Sequence, residues 1–264
     1  MYGITIQIVD DIGFIAIDTG GTYNLVTSEF MVNFVDALTM LDRNPNVRFV
    51  VVHGAGDNLG AGADVNELYR AVNSKEFTDR FFNMMKEIYL KLFTVDKFVI
   101  GYARGVAYGA SMEMLLAMDY VIAHKDSRFA APGGRLGVYP PVLLTMGPER
   151  IGWAATRRMA FLGEVLNAEQ AKQVGLVDEV TEETDPVKAV QGVVGKARQM
   201  APSSIAKMRK HLYRRYYQLL EAAFEELKEQ LMTRDTREGV TAFLTNTKPY
   251  WAVSAEERAQ RPKV

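Results

Sequence analysis

Apolar and polar residues alternate over positions 4–8, a turn of Asp10-Asp11-Ile12-Gly13 follows, and Phe14-Ile15-Ala16-Ile17 runs back. A period of two predicts a β-hairpin. Beyond Gly20-Gly21, Thr27 or Ser28 is a suitable cap for a helix through Phe30, Phe34, Leu38 and Leu41, with Pro45 past its end. Residues 49–52, Phe-Val-Val-Val, are apolar without a break, as a strand covered on both faces requires. A helix is predicted over 76–92, with Phe77, Phe81, Met84, Met85, Ile88 and Leu92 on one face. Residues 98–100 start another apolar strand, which passes Gly101, Gly105 and Gly109 and becomes an apolar helix over about 110–118. Strands are predicted at 120–123 and 128–130. The Gly/Pro-rich stretch 132–147 reads as a loop over a cleft. Helices at 149–162 and 168–173 and a strand at 176–180 follow. The remainder is helical: one helix over 187–200, a long one from Pro202 through Tyr213, Tyr216, Leu219, Leu220, Phe224 and Leu227, and a third from Asp235 past Phe243. The class is α/β with a helical C-terminal part.

Composition narrows the possible roles. The 264 residues are 48% hydrophobic and 24% charged, with a net charge of −1, which suits one large globular domain or a domain with a helical tail. Near-neutral charge gives nucleic acid or a membrane surface no electrostatic hold as a main partner. The charged run Lys207, Arg209, Lys210, Arg214 and Arg215 is balanced by Glu221, Glu225, Glu226 and Glu229 and reads as a solvated helix face. The chain starts with a strand pattern rather than a signal peptide, and no apolar run approaches the ~18–20 residues of a membrane span. With no cysteine there is no disulfide or thiol chemistry, which fits a reducing cytoplasm. His53, His124 and His211 lack metal-ligand spacing, so no metal site is expected, and His53 at a strand end is structural.

Chemistry concentrates in two glycine-rich turns. Each follows a buried strand and opens a helix: Gly62-Ala63-Asp64 and Gly109-Ala110-Ser111. The first lacks the Lys-Ser/Thr of a P-loop and the spacing of a dinucleotide fingerprint. If the strands lie side by side, the N–H groups of Ala63 and Ala110 converge on one point and form an oxyanion hole. Such donors suit a thioester carbonyl becoming an enolate or a tetrahedral anion. Glu113 is one helical turn from Ala110, among Met112, Met114, Leu115 and Leu116. Its role is either a helix-capping charge or an acid/base raised toward neutrality by apolar surroundings. Asp64 is read as the cap of the following helix.

These motifs, taken together, resemble the enoyl-CoA hydratase/isomerase (crotonase) superfamily over nearly the whole chain. The carriers are Tyr23-Asn24-Leu25, Gly60-Ala-Gly-Ala-Asp64, Gly105-Val-Ala-Tyr-Gly-Ala-Ser-Met-Glu113, Leu166-Asn-Ala-Glu-Gln-Ala-Lys-Gln-Val-Gly-Leu-Val177 and Asp235-Thr-Arg-Glu-Gly-Val-Thr-Ala-Phe243. The resemblance implies a superhelix of ββα turns over 1–200 and a C-terminal helical oligomerisation region over 201–264, as a homotrimer or dimer of trimers. It implies an acyl-CoA thioester substrate, coenzyme A entering as part of it with no separate cofactor. It implies oxyanion amides at Ala63 and Ala110, and a CoA site along Asn24, Leu25, Val26, Ala61, Gly62 and Asp64, with Gly109 at the second turn. Phe243 and Lys248 match positions that approach CoA from a neighbouring subunit. One departure stands out. Hydratases of the family use two glutamates; Glu113 matches the first, and Gly133 occupies the place of the second, followed by Gly134. Arg135, Tyr139 and Tyr108 are the polar groups nearby: Tyr139 as a proton donor or acceptor, Tyr108 as an acyl-pocket wall, Arg135 as a partner for a substrate carboxylate. Packing is the alternative for both tyrosines, and a surface or interface position for the arginine. The expected reaction is hydratase-like. Decarboxylation, double-bond isomerisation or hydrolysis of a cyclic oxoacyl-CoA on the same scaffold are alternatives, as is a non-catalytic acyl-CoA-binding subunit.

Overall fold

The opening hairpin joins β1 (Gly3–Val9) antiparallel to β2 (Ile12–Asp18), with Ile4 opposite Ile17. This computed structural model describes residues 1–254, 256 and 257. A two-residue strand, β3 (Leu25–Val26), leads into α1 (Ser28–Arg43), where Thr27 Oγ1 caps the first turn by accepting from Phe30 N–H. Three similar strand–strand–helix turns follow. The first is β4 (Phe49–Gly54), β5 (Gly62–Ala63), α2 (Val65–Val72) and α3 (Lys75–Thr94). The second is β6 (Phe98–Ala103), β7 (Val106–Tyr108) and α4 (Ala110–Leu116). The third is β8 (Tyr120–His124), β9 (Arg128–Ala130), a 3-10 helix (Pro132–Leu136), α5 (Pro141–Arg150) and α6 (Gly152–Leu162). Next come β10 (Leu166–Asn167), α7 (Ala168–Val174) and β11 (Glu179–Thr181).

The first strand of each turn enters one six-stranded sheet, β1-β2-β4-β6-β8-β11, parallel from β2 onward. The second strands leave it: β7 pairs parallel with β9 beside β10, and β5 pairs parallel with β3. This is the expected ββα spiral. Successive side chains of a strand face opposite ways. Val50 and Val52 of β4 therefore enter the main core, while Phe49 and Val51 join a second cluster across the sheet, under Val190, Val193 and Val194.

Several predicted boundaries move. The stretch 132–147 is not a loop throughout, because α5 begins inside it at Pro141; proline at the first helical position sacrifices no hydrogen bond and arrives with helical φ. The helix expected over 149–162 is cut at Ile151, before Gly152 with φ +78°. The one expected over 187–200 is two, α8 (Pro186–Ala189) and α9 (Gln191–Ala197). The strand expected at 176–180 starts late, since the N–H groups of Leu176 and Val177 bond back to Ala171 O and finish α7 instead of entering the sheet.

The long helix from Pro202 is also two, α10 (Pro202–Tyr213) and α11 (Tyr216–Leu231), followed by α12 (Arg234–Leu244). These helices fold back on their own chain: α10 and α11 on α3, α11 also on α5, and α12 on α2 and the 3-10 helix. Tyr213 stacks on Phe93 at 4.9 Å between ring centres, and Phe224 lies 5.9 Å from Tyr89. Tyr213, Tyr216 and Phe224 are thus buried within one chain. Nor is Arg209 part of a solvated face. It is buried against Asp119 and donates from Nε to Val95 O at 2.9 Å, while Asp119 also accepts from the Tyr213 hydroxyl at 3.1 Å.

Candidate active site

The two glycine-rich turns touch through their backbones. Gly62 has φ +91° and Gly109 φ +51°, conformations that a side chain disfavours. A Cβ on Gly62 would stand 3.0 Å from Tyr108 O and 3.4 Å from Ala110 N. The Gly62 N–H meets Ser111 Oγ at 3.3 Å, tying β5 to α4. Beside it, Ala61 N–H and Asp64 N–H bond to Asn24 O and Val26 O of the β3 segment, neither bond using the N–H of Ala63. Ala110 opens α4, so its N–H has no acceptor within the helix.

A cavity of about 390 Å³ lies where these turns meet. Ala61, Gly62 and Ala63 line it from one turn, Tyr108, Gly109 and Ala110 from the other, and Glu113 from the first turn of α4. The 132–139 stretch contributes Gly133, Arg135 and Tyr139. Val65, Leu68, Phe82, Met85, Leu136, Val138 and Leu227 give it mostly apolar walls. Phe243 of α12 also lines it, from the same chain, although it is 61% exposed.

Glu113 is 4% exposed. Its Oε1 accepts from Val142 N–H at 2.8 Å and Leu143 N–H at 2.9 Å, both at the start of α5. Burial pushes its pKa up to about 7, against the opposing pull of these two amides. Glu113 thus caps a helix, though not its own, and it does so with a buried carboxyl whose pKa lies near neutrality. Sequence reasoning missed the two amides of α5. Pro140-Pro141, a helix-opening signal inside an apparent loop, was the clue available.

The other expected residues sort by what holds them. Tyr139 gives its ring to the cavity but donates its hydroxyl to Ala223 O at 2.9 Å, and burial, with Glu226 and Glu229 nearby, raises its pKa to about 12. In this arrangement the hydroxyl is engaged away from the cavity and the ring serves as a wall. Arg135 is exposed at the cavity's edge and lines a second groove beside Phe161, Leu162 and Trp251. At Gly133 a Cβ would stand 3.1 Å from Val138 Cγ2, so even a small side chain there needs Val138 to yield. Asn24 is buried as a brace: its amide donates to Asn58 O at 3.0 Å and accepts from Thr19 N–H at 3.0 Å. Leu25 and Val26 form β3 behind β5, and Asp64 caps α2 by accepting from Asn66 N–H at 2.8 Å. Asn24, Leu25, Val26 and Asp64 support the cavity's rim without lining it, and Lys248 is exposed and also outside the lining. Among the described residues, no three His, Cys, Asp or Glu side chains gather to hold a metal, and no helix is long and apolar enough to cross a membrane.

Known proteins resemble this chain in sequence and in shape. The Enoyl-CoA hydratase/isomerase family pattern matches residues 8–254. A probable enoyl-CoA hydratase of Bacillus subtilis (strain 168) is 24% identical over 232 residues, covering 86% of this chain and 90% of its own. The 2,3-dehydroadipyl-CoA hydratase of Escherichia coli (strain K12) is 25% identical over 231 residues, covering 86% and 89%. In shape, the crystal structure of an enoyl-CoA hydratase from Bacillus halodurans superposes with a TM-score of 0.84 at 20% identity, over 91% of this chain and 99% of the other. The chain belongs to the enoyl-CoA hydratase/isomerase family.

Proposed function

We propose that the protein acts on acyl-CoA thioesters, holding the thioester oxygen as it becomes an enolate between the N–H groups of Ala63 and Ala110, with Glu113 moving the proton. Hydration of a 2-enoyl thioester is the first reading. Glu113 takes a proton from water as the oxygen of that water bonds to C3, and the same proton passes to C2 of the enolate. The observation that carries this is the single buried carboxyl, with pKa about 7, in the cavity where both glycine turns meet. Following the loss of conjugation of short and medium 2-enoyl-CoAs, with Glu113→Gln alongside, tests it. Equal rates for the two proteins would remove Glu113 from the reaction.

A second reading is favoured by the 132–139 stretch. A water in a cavity needs about 2–4 polar partners. Gly133 supplies no side chain, and the Tyr139 hydroxyl is turned to Ala223. A double-bond shift needs no water: Glu113 takes a proton from C2 of a 3-enoyl thioester and returns it to C4, leaving the 2-enoyl product. Reaction in oxygen-18 water separates the two, since only hydration places the label in the product.

A further inference from the structure

The start of α5 is unusual in how its amides are used. An α-helix leaves its first four N–H groups without partners inside the helix. Here two of the four do not exist, because the cap and first positions are Pro140 and Pro141. The other two, of Val142 and Leu143, both end on Oε1 of Glu113. The next N–H, of Leu144, already bonds inside the helix to Pro140 O at 3.1 Å. No side chain of α5's own caps it. The helix therefore depends on one carboxyl oxygen from α4, and that oxygen has its lone pairs engaged by two N–H donors.

We infer that Pro140 and Pro141 act as positioning residues, aiming the amides of Val142 and Leu143 so that Oε1 of Glu113 serves only as helix cap and Oε2 alone carries the proton into the cavity. An oxygen accepting two N–H bonds is the poorer base and, in the neutral acid, remains the carbonyl side. Glu113 Oε2 accepts no hydrogen bond among the described residues. Around the carboxyl the titratable groups are few. Tyr89 of α3 is fully buried, with its hydroxyl 3.4 Å from Ala110 O. Tyr108 comes from β7, and Tyr139 and Arg135 from the 132–139 stretch. Asp64, after β5, is occupied in capping α2. The charges of α5 itself, Glu149 and Arg150, sit at its far end, where Arg150 donates to Met118 O. No charged side chain pairs with Glu113 among the described residues, which leaves the two amides as the specific contacts opposing burial.

This deepens the proposed function and rests on it for which group reacts; its test needs no substrate, so the two can fail separately. The carboxyl carbon of Glu113, identified by its loss in Glu113→Gln, is titrated by carbon-13 NMR in the full chain. An ester replacing the Val142 amide, or the Leu143 amide, deletes one donor and keeps the side chain. Either ester is expected to raise the midpoint from about 7 by about one unit or more, the size expected for one charge-assisted hydrogen bond. An ester at Leu144, which weakens α5 without touching Glu113, leaves it in place. Unmoved midpoints at 142 and 143, or an equal shift at 144, would overturn the inference. If the ester proteins do not fold, the unaltered protein still decides. The infrared carbonyl band of protonated Glu113, found by difference from Glu113→Gln, should lie at the frequency of a doubly hydrogen-bonded acid; a free-acid band refutes the assignment.

Discussion

The two sides of the cavity are built on opposite plans. On one, Gly62, Gly109, Ala110 and Glu113 sit on a strand end and a helix start that are locked together, and Glu113 is tied to the start of α5. On the other, the 132–139 stretch is half-exposed, offers no side chain at Gly133, and sends its tyrosine hydroxyl away to α11. The first side presents a buried carboxyl and helix-start amides, the second mainly apolar surface. The lesson is that lining a cavity and taking part in its chemistry are separate properties, told apart by where the hydrogen bonds go.

The hardest blow to this asymmetry is Glu113→Gln. Activity should fall by ~10²–10⁴-fold in steady-state kinetics. Stability should move the other way. The folded chain holds the Glu113 proton more tightly than the unfolded chain does, so folding is favoured at low pH, and stability drains as pH rises from 4.5 to about 7. Glutamine keeps the oxygen that caps α5 without the buried charge. Denaturant unfolding at pH 8 should show the variant more stable by up to ~3 kcal/mol, with no such gain near pH 4. Equal stability at both pH values would show that the carboxyl is not raised.

Gly62→Ala comes next. The positive φ alone costs about 1–3 kcal/mol, and the new methyl pushes on Tyr108 O and Ala110 N, 3.0 and 3.4 Å away. Displacing an oxyanion donor should lower kcat by ~10²-fold with little change in KM. Unchanged kcat would take the turn out of the chemistry. To make the two sides alike, Gly133→Glu combined with Val138→Ala, which clears the crowding Val138 Cγ2, should raise 2-enoyl-CoA hydration by ~10-fold or more. No gain would mean the apolar side lacks more than a carboxylate. The smallest effect belongs to Tyr139→Phe. It should leave kcat within about 2-fold and cost about 1 kcal/mol in unfolding, as expected for a hydroxyl engaged by Ala223 O. A large drop in kcat would restore Tyr139 to the mechanism.

Much of the fold is legible in the sequence. The unbroken, mostly β-branched Phe49 to Val52 run fits a strand covered on both faces, and its alternate residues do enter two separate clusters. The two glycine turns and Glu113 were legible because positive φ and a lone charge in an apolar helix leave marks in composition. What stayed hidden depended on partners distant in sequence. β3 and β5 have two residues each, too short for any periodicity, and exist through mutual pairing. The ends of α10 and α11 at Arg214-Arg215 carry no proline or glycine, so nothing local announces the break. The bracing contacts of Asn24 are invisible in the sequence, since its partner carbonyls at Asn58 and Leu59 are brought to it only by folding. The oxygen preference of Glu113 is likewise set by residues 29 and 30 positions away.

Phe243 has a consequence for how the cavity is completed. The two glycine turns and Glu113 lie far ahead of α12 along the chain, yet Phe243 of α12 lines the same cavity. The chamber is therefore completed only when α12 has folded back onto α2 and the 3-10 helix, which makes the shape of the pocket hostage to the docking of one distant helix.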